Sequence, residues 1–169
     1  MHELMKQKGD KVVTIQAFEE KVDVLHATLY RVACAYLGGD ADRADAVQEA
    51  LFKAWKSQKT LKKEEYFETW LIRILIRECV NIGRAKKRVI PVEEIPERAG
   101  SSDLSDRMDL RTAIMRLPEK QRIPLVLFYM EGYDVEQISK VLHLPKGTVC
   151  SRLARSRAAL KEAIGKDVE

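Results

Sequence analysis

The chain has 169 residues, of which 30 are lysine or arginine and 26 are aspartate or glutamate, so its formal net charge is +4. This length permits one medium domain or two small ones, and the positive balance weakly favours a nucleic-acid partner. No run of about 18 apolar residues and no signal peptide is found, so we expect a cytoplasmic protein. The three cysteines, Cys34, Cys79 and Cys150, are odd in number and far apart, which argues against a disulfide framework or a zinc site.

The first helical pattern runs from Val13 to Leu37, and its apolar residues recur at helical spacing from Phe18 to Tyr36. Glycine commonly follows the end of a helix, so Gly38 and Gly39 are expected to terminate this one.

A second helix is expected to begin at Asp40 or Asp42. Away from its apolar side, four residues recur at i, i+3, i+4 and i+7: Asp45, Gln48, Glu49 and Phe52. Such a face is often simply solvated. A phenylalanine exposed among polar residues favours contact with a protein partner instead.

The third helical pattern, from about Glu65 to Arg88, is apolar on two sides, which predicts a helix packed between neighbours. The remaining strip covers an arc of about 80° around the helix axis. It contains Arg73, Arg77, Asn81, Arg84 and Arg88. Trp70 projects at the edge of this strip. No acidic residue interrupts the strip, which favours phosphate contact with base stacking over a solvated surface with Trp70 in the core.

The segment Val89–Met108 predicts a flexible acidic linker. Residues 91–108 hold five acidic and two basic side chains, together with Pro91, Pro96 and Gly100. Such a composition cannot bury enough apolar surface to fold alone. The linker separates an N-terminal half, residues 14–88, from a C-terminal half, residues 109–165.

The segment from Asp134 to Arg157 predicts two helices joined by a tight turn. Asp134 and Gln137 have capping-box spacing, and Pro145 is expected at the first position of the second helix. From Lys146 to Lys161, that helix contains no acid and five cations: Lys146, Arg152, Arg155, Arg157 and Lys161. The pattern is typical of a helix-turn-helix, whose second helix enters the DNA major groove. A solvated basic helix is the alternative interpretation.

These motifs together resemble the extracytoplasmic-function class of bacterial RNA polymerase sigma factors over roughly residues 14–165. The resemblance rests on DADRADAVQEALFKAW, FETWLIRILIREC, the acidic linker, LPEKQRIPLVLFYMEGYDVEQISKVL and LPKGTVCSRLARSRAAL, in this order. It implies an all-α fold of two small helical domains joined by a flexible acidic linker, the C-terminal one a helix-turn-helix. Residues 14–88 would be sigma region 2, residues 89–108 the linker, and residues 109–165 sigma region 4.

The resemblance also implies a function and partners. A sigma factor is not an enzyme; it binds core RNA polymerase through the beta-prime clamp and the beta flap and recognises the −10 and −35 elements of promoter DNA. The regulon would be a stress or envelope response. An anti-sigma factor is expected as a further partner, which would hold the protein at the membrane if it is itself membrane-bound. No cofactor, metal or small-molecule substrate is implied.

Three sets of site residues follow from the resemblance. The polymerase-binding set is Asp45, Gln48, Glu49 and Phe52. The −10 set is Tyr66, Phe67, Trp70, Arg73, Arg77, Asn81, Arg84 and Arg88. The −35 set is Lys146, Thr148, Cys150, Ser151, Arg152, Arg155 and Arg157.

Within the −10 set, Trp70 is expected to help wedge the strands apart, while the loop Ser57–Glu65 holds a flipped base. Within the −35 set, Cys150, Ser151 and Arg155 match positions near the bases. The remaining cations of that helix, Lys146, Arg152 and Arg157, are expected to bind phosphate.

Four residues depart from the family pattern. Many members carry Asn in place of Arg77 and Asp in place of Asn81, and Cys150 stands where Arg or Lys is common. We therefore expect altered −10 contacts and −35 specificity. Pro124 is expected to kink its helix or shift its start.

Two other function classes stay open from the residues alone. A conventional helix-turn-helix activator would use only the C-terminal helix pair and leave Trp70 and the arginine strip unexplained. An adaptor would use the acidic and aromatic faces for protein contacts alone. An enzyme is disfavoured because no nucleophile–base pair, metal cluster or phosphate-binding loop is found.

Overall fold

The computed structural model describes residues 14–89 and 110–165. Seven α-helices lie in these ranges: α1 Ile15–Tyr36, α2 Asp40–Ser57, α3 Phe67–Val89, α4 Leu110–Arg116, α5 Glu119–Tyr129, α6 Val135–Leu142 and α7 Lys146–Gly165. Two short 3-10 helices, Gln58–Thr60 and Glu64–Tyr66, connect α2 to α3. The all-α fold class predicted from the sequence is confirmed. The predicted linker lies almost entirely outside the described residues.

Helix α1 begins after Thr14, whose side-chain oxygen accepts a hydrogen bond from the Ala17 amide at 3.2 Å. It ends at Tyr36, close to the predicted position, but not through a glycine with positive φ, because Leu37 closes the helix in an extended conformation. Arg43 of α2 satisfies the free carbonyls there, donating to Leu37 at 2.8 Å and Gly38 at 3.0 Å.

Helix α3 packs against both α1 and α2, which confirms the prediction drawn from its two apolar faces. Leu71, Ile72 and Leu75 are completely buried there, as is Leu29 of α1. These helices form the N-terminal half of the core. None of the described helices is long and apolar enough to cross a membrane.

The C-terminal half is built around α7, which contacts α4, α5 and α6. Both hydrogen bonds of the predicted capping box join Asp134 and Gln137 at the start of α6. Pro145 lies one residue earlier than expected, because α7 begins at Lys146. Pro124 lies fully buried inside α5, which begins at Glu119 and continues through it to Tyr129.

The two halves pack against each other, and the sequence pattern did not predict this contact. Helix α1 lies against α5, and α3 lies against α6. Their buried side chains form one continuous apolar core, with Tyr36 and Ile76 packed at its seam. The turn between α6 and α7 thereby lies next to α3.

Candidate nucleic-acid interface

Helix α7 buries one side and turns the opposite side to solvent. Val149, Leu153 and Ser156 are buried, and the Ser156 hydroxyl donates to a carbonyl of α5 at 2.9 Å. By the helical period, Ser151 and Arg155 project away from this buried side. Arg155 is exposed and Ser151 is half-buried. The helix therefore presents an outward face that is available to a DNA groove.

Two arginines flank this outward face on opposite sides. Arg152 and Arg157 are five residues apart, so they lie about 140° apart across the buried side of the helix and about 220° apart across its outward face. Arg157 is exposed and donates a hydrogen bond to the Tyr129 hydroxyl at 3.2 Å, whereas Arg152 is half-buried. Phosphates line both walls of the major groove, so cations on both flanks suit a helix lying within it.

Lys146, at the start of α7, already has an acidic partner. Its ammonium lies 3.1 Å from the Glu136 carboxylate, which also binds Lys140 at 3.0 Å. The hydrogen bond from Lys140 and then that from Lys146 lower the pKa of Glu136. A phosphate that binds Lys146 would therefore compete with this carboxylate.

The small polar residues of α7 differ in what they can offer a base. Cys150 is exposed and Thr148 is half-buried. The Ser151 hydroxyl donates to the Thr148 carbonyl at 3.0 Å, so its proton is already used. The Ser151 oxygen remains able to accept a hydrogen bond, which matches the amino groups of adenine and cytosine in the major groove.

On α3, the predicted strip is found on one face of the helix. Arg77, Asn81 and Arg84 are exposed, and Arg73 is half-buried. Arg73 Nη2 lies 2.6 Å from Nε2 of His143, in the turn between α6 and α7. None of these arginines has an ion pair with an acidic residue of the described ranges. The side chain of Arg88 lies outside the described residues.

The aromatic residues at the start of α3 divide into exposed and buried ones. Tyr66 is exposed and Trp70 is half-buried. Phe67 is only 7% exposed, and its ring centroid lies 5.7 Å from that of Phe18 and 5.9 Å from that of Trp70. The expectation that Phe67 faces DNA is therefore corrected. The Phe67 side chain lies in the core, where its ring packs against Phe18 of α1 and against Trp70.

The connection before α3 contains an unsatisfied polar atom. Gln58 Oε1, in the loop expected to hold a flipped base, is buried and has no hydrogen-bond partner among the described residues. A buried acceptor without a donor is costly. The sequence pattern gave no indication of this atom.

The predicted polymerase-binding residues lie together on the outside of α2. All four are exposed, and they line one shallow pocket with two residues of α3: Asp45, Gln48, Glu49, Phe52, Glu78 and Ile82. Phe52 is 53% exposed, with the Lys56 ammonium 4.1 Å from its ring centroid. An apolar side chain of this size in an acidic pocket is typical of a protein-binding surface.

Sequence reasoning missed the two α3 residues of this pocket. Glu78 is nearly buried and accepts a hydrogen bond from Lys53 at 2.8 Å, which raises the pKa of Lys53. One sequence feature could have identified Glu78: it is a single acidic residue within the apolar part of α3.

Comparison with known proteins gives matches over both halves. Residues 22–89 match the family model of sigma-70 region 2, and residues 107–160 match that of sigma-70 region 4. The chain is 30% identical over 160 residues to the ECF RNA polymerase sigma factor SigM of Mycobacterium tuberculosis, covering 93% of this chain and 80% of that one. It is 28% identical over 178 residues to the ECF sigma factor SigW of Bacillus subtilis, covering 94% and 92%.

A similar fold is found among solved structures. The sigma factor RpoE of Bartonella quintana, solved in complex with the anti-sigma factor NepR, superposes with a TM-score of 0.73 at 23% identity, over 89% of this chain and 98% of that one. CnrH, solved with the cytosolic domain of CnrY, has a TM-score of 0.69 at 21% identity, over 91% of each chain.

Proposed function

The chain belongs to the extracytoplasmic-function family of bacterial RNA polymerase sigma factors, and we propose that its three surfaces bind polymerase, the −10 element and the −35 element separately. The family consists of transcription initiation factors rather than enzymes, and promoter recognition is its function. We assign region 2 to residues 14–88 and region 4 to residues 109–165. The protein would work in the cytoplasm, where polymerase and promoter are found.

One observation carries this proposal: the chain has two distinct cationic surfaces, on α3 and on α7. Arg73, Arg77 and Arg84 of the α3 strip have no acidic partner within the described ranges, and neither does Arg155. A conventional activator needs only the α7 surface. Two surfaces suit a protein that contacts two promoter elements at once.

The α3 surface is assigned to the melted −10 strand. Arg73, Arg77 and Arg84 would contact successive phosphates, while Trp70 stacks at the upstream edge of the bubble. Gln58 Oε1, which is buried and unpaired in the preceding loop, would accept a hydrogen bond from the amino group of a flipped adenine or cytosine once that loop moves to uncover it. Stacking and phosphate contacts supply the affinity for the open strand, so melting requires no nucleotide hydrolysis.

The α7 surface is assigned to the −35 duplex. Arg155 and the acceptor oxygen of Ser151 face the base edges, with the exposed thiol of Cys150 beside them. Arg152 and Arg157 reach phosphates on the two walls of the groove. Lys146 binds phosphate more weakly, because Glu136 neutralises part of its charge.

The pocket between α2 and α3 is assigned to the polymerase clamp. Phe52 is the apolar centre, with Asp45, Gln48 and Glu49 as the surrounding polar groups. Interfaces commonly have an aromatic anchor of this kind within a polar rim. An anti-sigma factor is proposed as the regulatory partner, by analogy with RpoE of Bartonella quintana, which was solved with the anti-sigma factor NepR.

The proposal is tested by mixing the purified chain with core RNA polymerase and promoter DNA. We expect the chain to co-elute with core polymerase in size-exclusion chromatography and to direct transcription that core alone does not start. A conventional activator would bind the duplex promoter without polymerase and would not co-elute. That second outcome would contradict the sigma-factor assignment of these surfaces.

A further inference from the structure

Two lysines, one on each helix of the helix-turn-helix, bind the same carboxylate. Oε1 of Glu136 on α6 lies 3.0 Å from the Lys140 ammonium, and Oε2 lies 3.1 Å from the Lys146 ammonium of α7. All three side chains are more than half exposed. The two ammonium groups therefore lie close together at the solvent surface, with the carboxylate between them.

These three side chains lie where the DNA backbone is expected to pass. Lys146 is the first residue of α7, and Arg157 follows eleven residues later, so the two lie on nearly the same side of the helix, three turns apart. The first helix of a helix-turn-helix crosses the DNA backbone while the second enters the major groove. Cations from both helices that meet beside the turn are therefore well placed for a phosphate of that backbone.

The partners of Lys146 and Arg157 differ in charge. Arg157 donates a hydrogen bond to the Tyr129 hydroxyl at 3.2 Å, and this neutral partner leaves its charge available to DNA. Lys146 faces a carboxylate instead, and its hydrogen bond to Glu136 is charge-assisted. A carboxylate and a phosphate are both anionic acceptors. DNA and Glu136 therefore compete for the same two ammonium groups.

Other residues supply the local structure around Glu136. Asp134 and Gln137 cap α6 through two hydrogen bonds, at 2.7 and 2.9 Å. Across the turn, the Ser139 hydroxyl donates to the Leu144 carbonyl. Exposed ion pairs contribute little to stability, because water screens them and long side chains lose freedom in forming them. The Glu136 carboxylate can therefore be displaced by a phosphate, or replaced by mutation, with little effect on the fold.

We propose that Lys140 and Lys146 together bind one backbone phosphate of the −35 duplex, and that Glu136 occupies this two-lysine site in the free chain and so limits duplex affinity. The inference rests on the proposed role of α7 in −35 binding. It adds Lys140, which the sequence pattern did not single out, to the phosphate contacts. Because phosphate contacts carry no sequence information, Glu136 limits binding to non-promoter DNA as well.

The test measures binding of the full chain to a short labelled DNA duplex of fixed sequence, by fluorescence anisotropy over a range of salt concentrations. Glu136→Gln should raise the affinity and steepen the slope of log affinity against log salt by about 0.9, because one more phosphate charge is neutralised. The ratio of variant to wild-type affinity should then be about fourfold larger at ~0.05 M salt than at ~0.25 M. A loss of structure would weaken binding, so a gain cannot come from damage to the fold.

Two further variants separate this site from overall charge. Glu19→Gln removes the same charge from an exposed position of α1 and should leave the slope unchanged. Adding Lys140→Gln to Glu136→Gln should return the slope to the wild-type value, because one of the two released ammonium groups is then absent. An unchanged slope for Glu136→Gln, or an equal rise for Glu19→Gln, would overturn the inference. A slope that stays steep in the double variant would exclude Lys140 from the contact and overturn the two-lysine site.

Arg157→Gln distinguishes failure of this inference from failure of the proposed function, because the contact of Arg157 does not involve Glu136. If Arg157→Gln lowers the slope while Glu136→Gln leaves it unchanged, the inference is wrong and the assignment of α7 to duplex DNA stands. If neither substitution changes the slope, α7 is not a DNA-binding surface, and both the assignment and the inference are wrong.

Discussion

Glu78 on α3 accepts a hydrogen bond from the Lys53 ammonium on α2 at 2.8 Å, and only 8% of Glu78 is exposed. The same ammonium lies 3.3 Å from the Glu49 carboxylate, which is about half exposed. The buried acid therefore fixes Lys53 between the two helices. The exposed acid beside it, Glu49, shares this ammonium but is open to solvent, so a partner can reach it.

Glu49→Lys is expected to prevent holoenzyme formation without unfolding the chain. The new ammonium would oppose Lys53 and reverse the charge beside Phe52, at the centre of the proposed clamp surface. Charge reversal at such a position weakens binding by at least about 2 kcal/mol, or roughly 30-fold. Size-exclusion chromatography with core polymerase measures the loss, and circular dichroism should show unchanged helix content.

Glu19→Lys is the matched control, because Glu19 is an exposed acid of α1 outside the proposed pocket. It should bind core polymerase as the wild type does. Normal holoenzyme formation by Glu49→Lys would show that the α2 surface is not the polymerase contact.

Trp70→Ala is expected to impair open-complex formation on duplex promoters more than on a pre-melted template. An aromatic wedge is needed to separate strands but is partly redundant once they are apart. Permanganate footprinting of the bubble and abortive transcription would measure the two effects. Equal losses of open-complex formation by Trp70→Ala on both templates would assign Trp70 to the core rather than to strand separation. Phe67→Leu is the comparison variant: it should lower the thermal stability of the protein, because Phe67 is a core residue.

The cysteines are expected to differ widely in reactivity. Burial raises the pKa of the Cys79 thiol to about 12, while Cys150 is exposed on α7. At about pH 8, iodoacetamide should therefore modify Cys150 first and Cys79 last, because the thiolate is the reactive form. Peptide mass spectrometry measures the order, and modification of Cys79 as rapid as that of Cys150 would contradict the buried position.

The same raised pKa predicts how stability depends on pH. The folded pKa of Cys79 exceeds its ordinary value of 9.0, so folding favours the protonated thiol. Its contribution to stability is complete below about pH 9 and is lost as the pH rises towards about 12. Cys79→Ala should flatten this alkaline decline in urea unfolding.

The phosphate contacts of α7 are expected to appear in the salt dependence of promoter binding. Arg157→Gln should lower the slope of log affinity against log salt by about 0.9, the value for one lost phosphate contact. Lys146→Gln should lower it by less, since Glu136 shares its ammonium. If Arg157→Gln has the same slope of log affinity against log salt as the wild type, Arg157 does not contact a phosphate.

The sequence was sufficient to predict the helices and most of the candidate surfaces, because both depend on local periodicity. The strip from Arg73 to Arg84 and the four residues on α2 each recur at helical spacing, so a single helix already brings them together. The capping box of Asp134 and Gln137 is likewise a local signal.

Features that depend on distant parts of the chain could not be predicted in this way. The burial of Phe67 follows from the position of Phe18 on another helix, and no spacing within α3 reveals it. The Arg31–Glu131 pair joins residues a hundred positions apart. No sequence pattern predicted the packing of the two halves against each other, because an acidic segment between two domains indicates that they are separate.

The most direct test of the sigma-factor assignment is transcription from a randomised promoter library by core polymerase with the wild type, Arg155→Ala or Cys150→Arg. We predict that transcription requires the added chain and selects defined −10 and −35 sequences. Both substitutions should change the −35 preference, by roughly 1–3 kcal/mol for a bidentate base contact, and leave the −10 preference unchanged. Absence of transcription above that of core polymerase alone, or identical −35 preferences in all three proteins, would contradict the assignment.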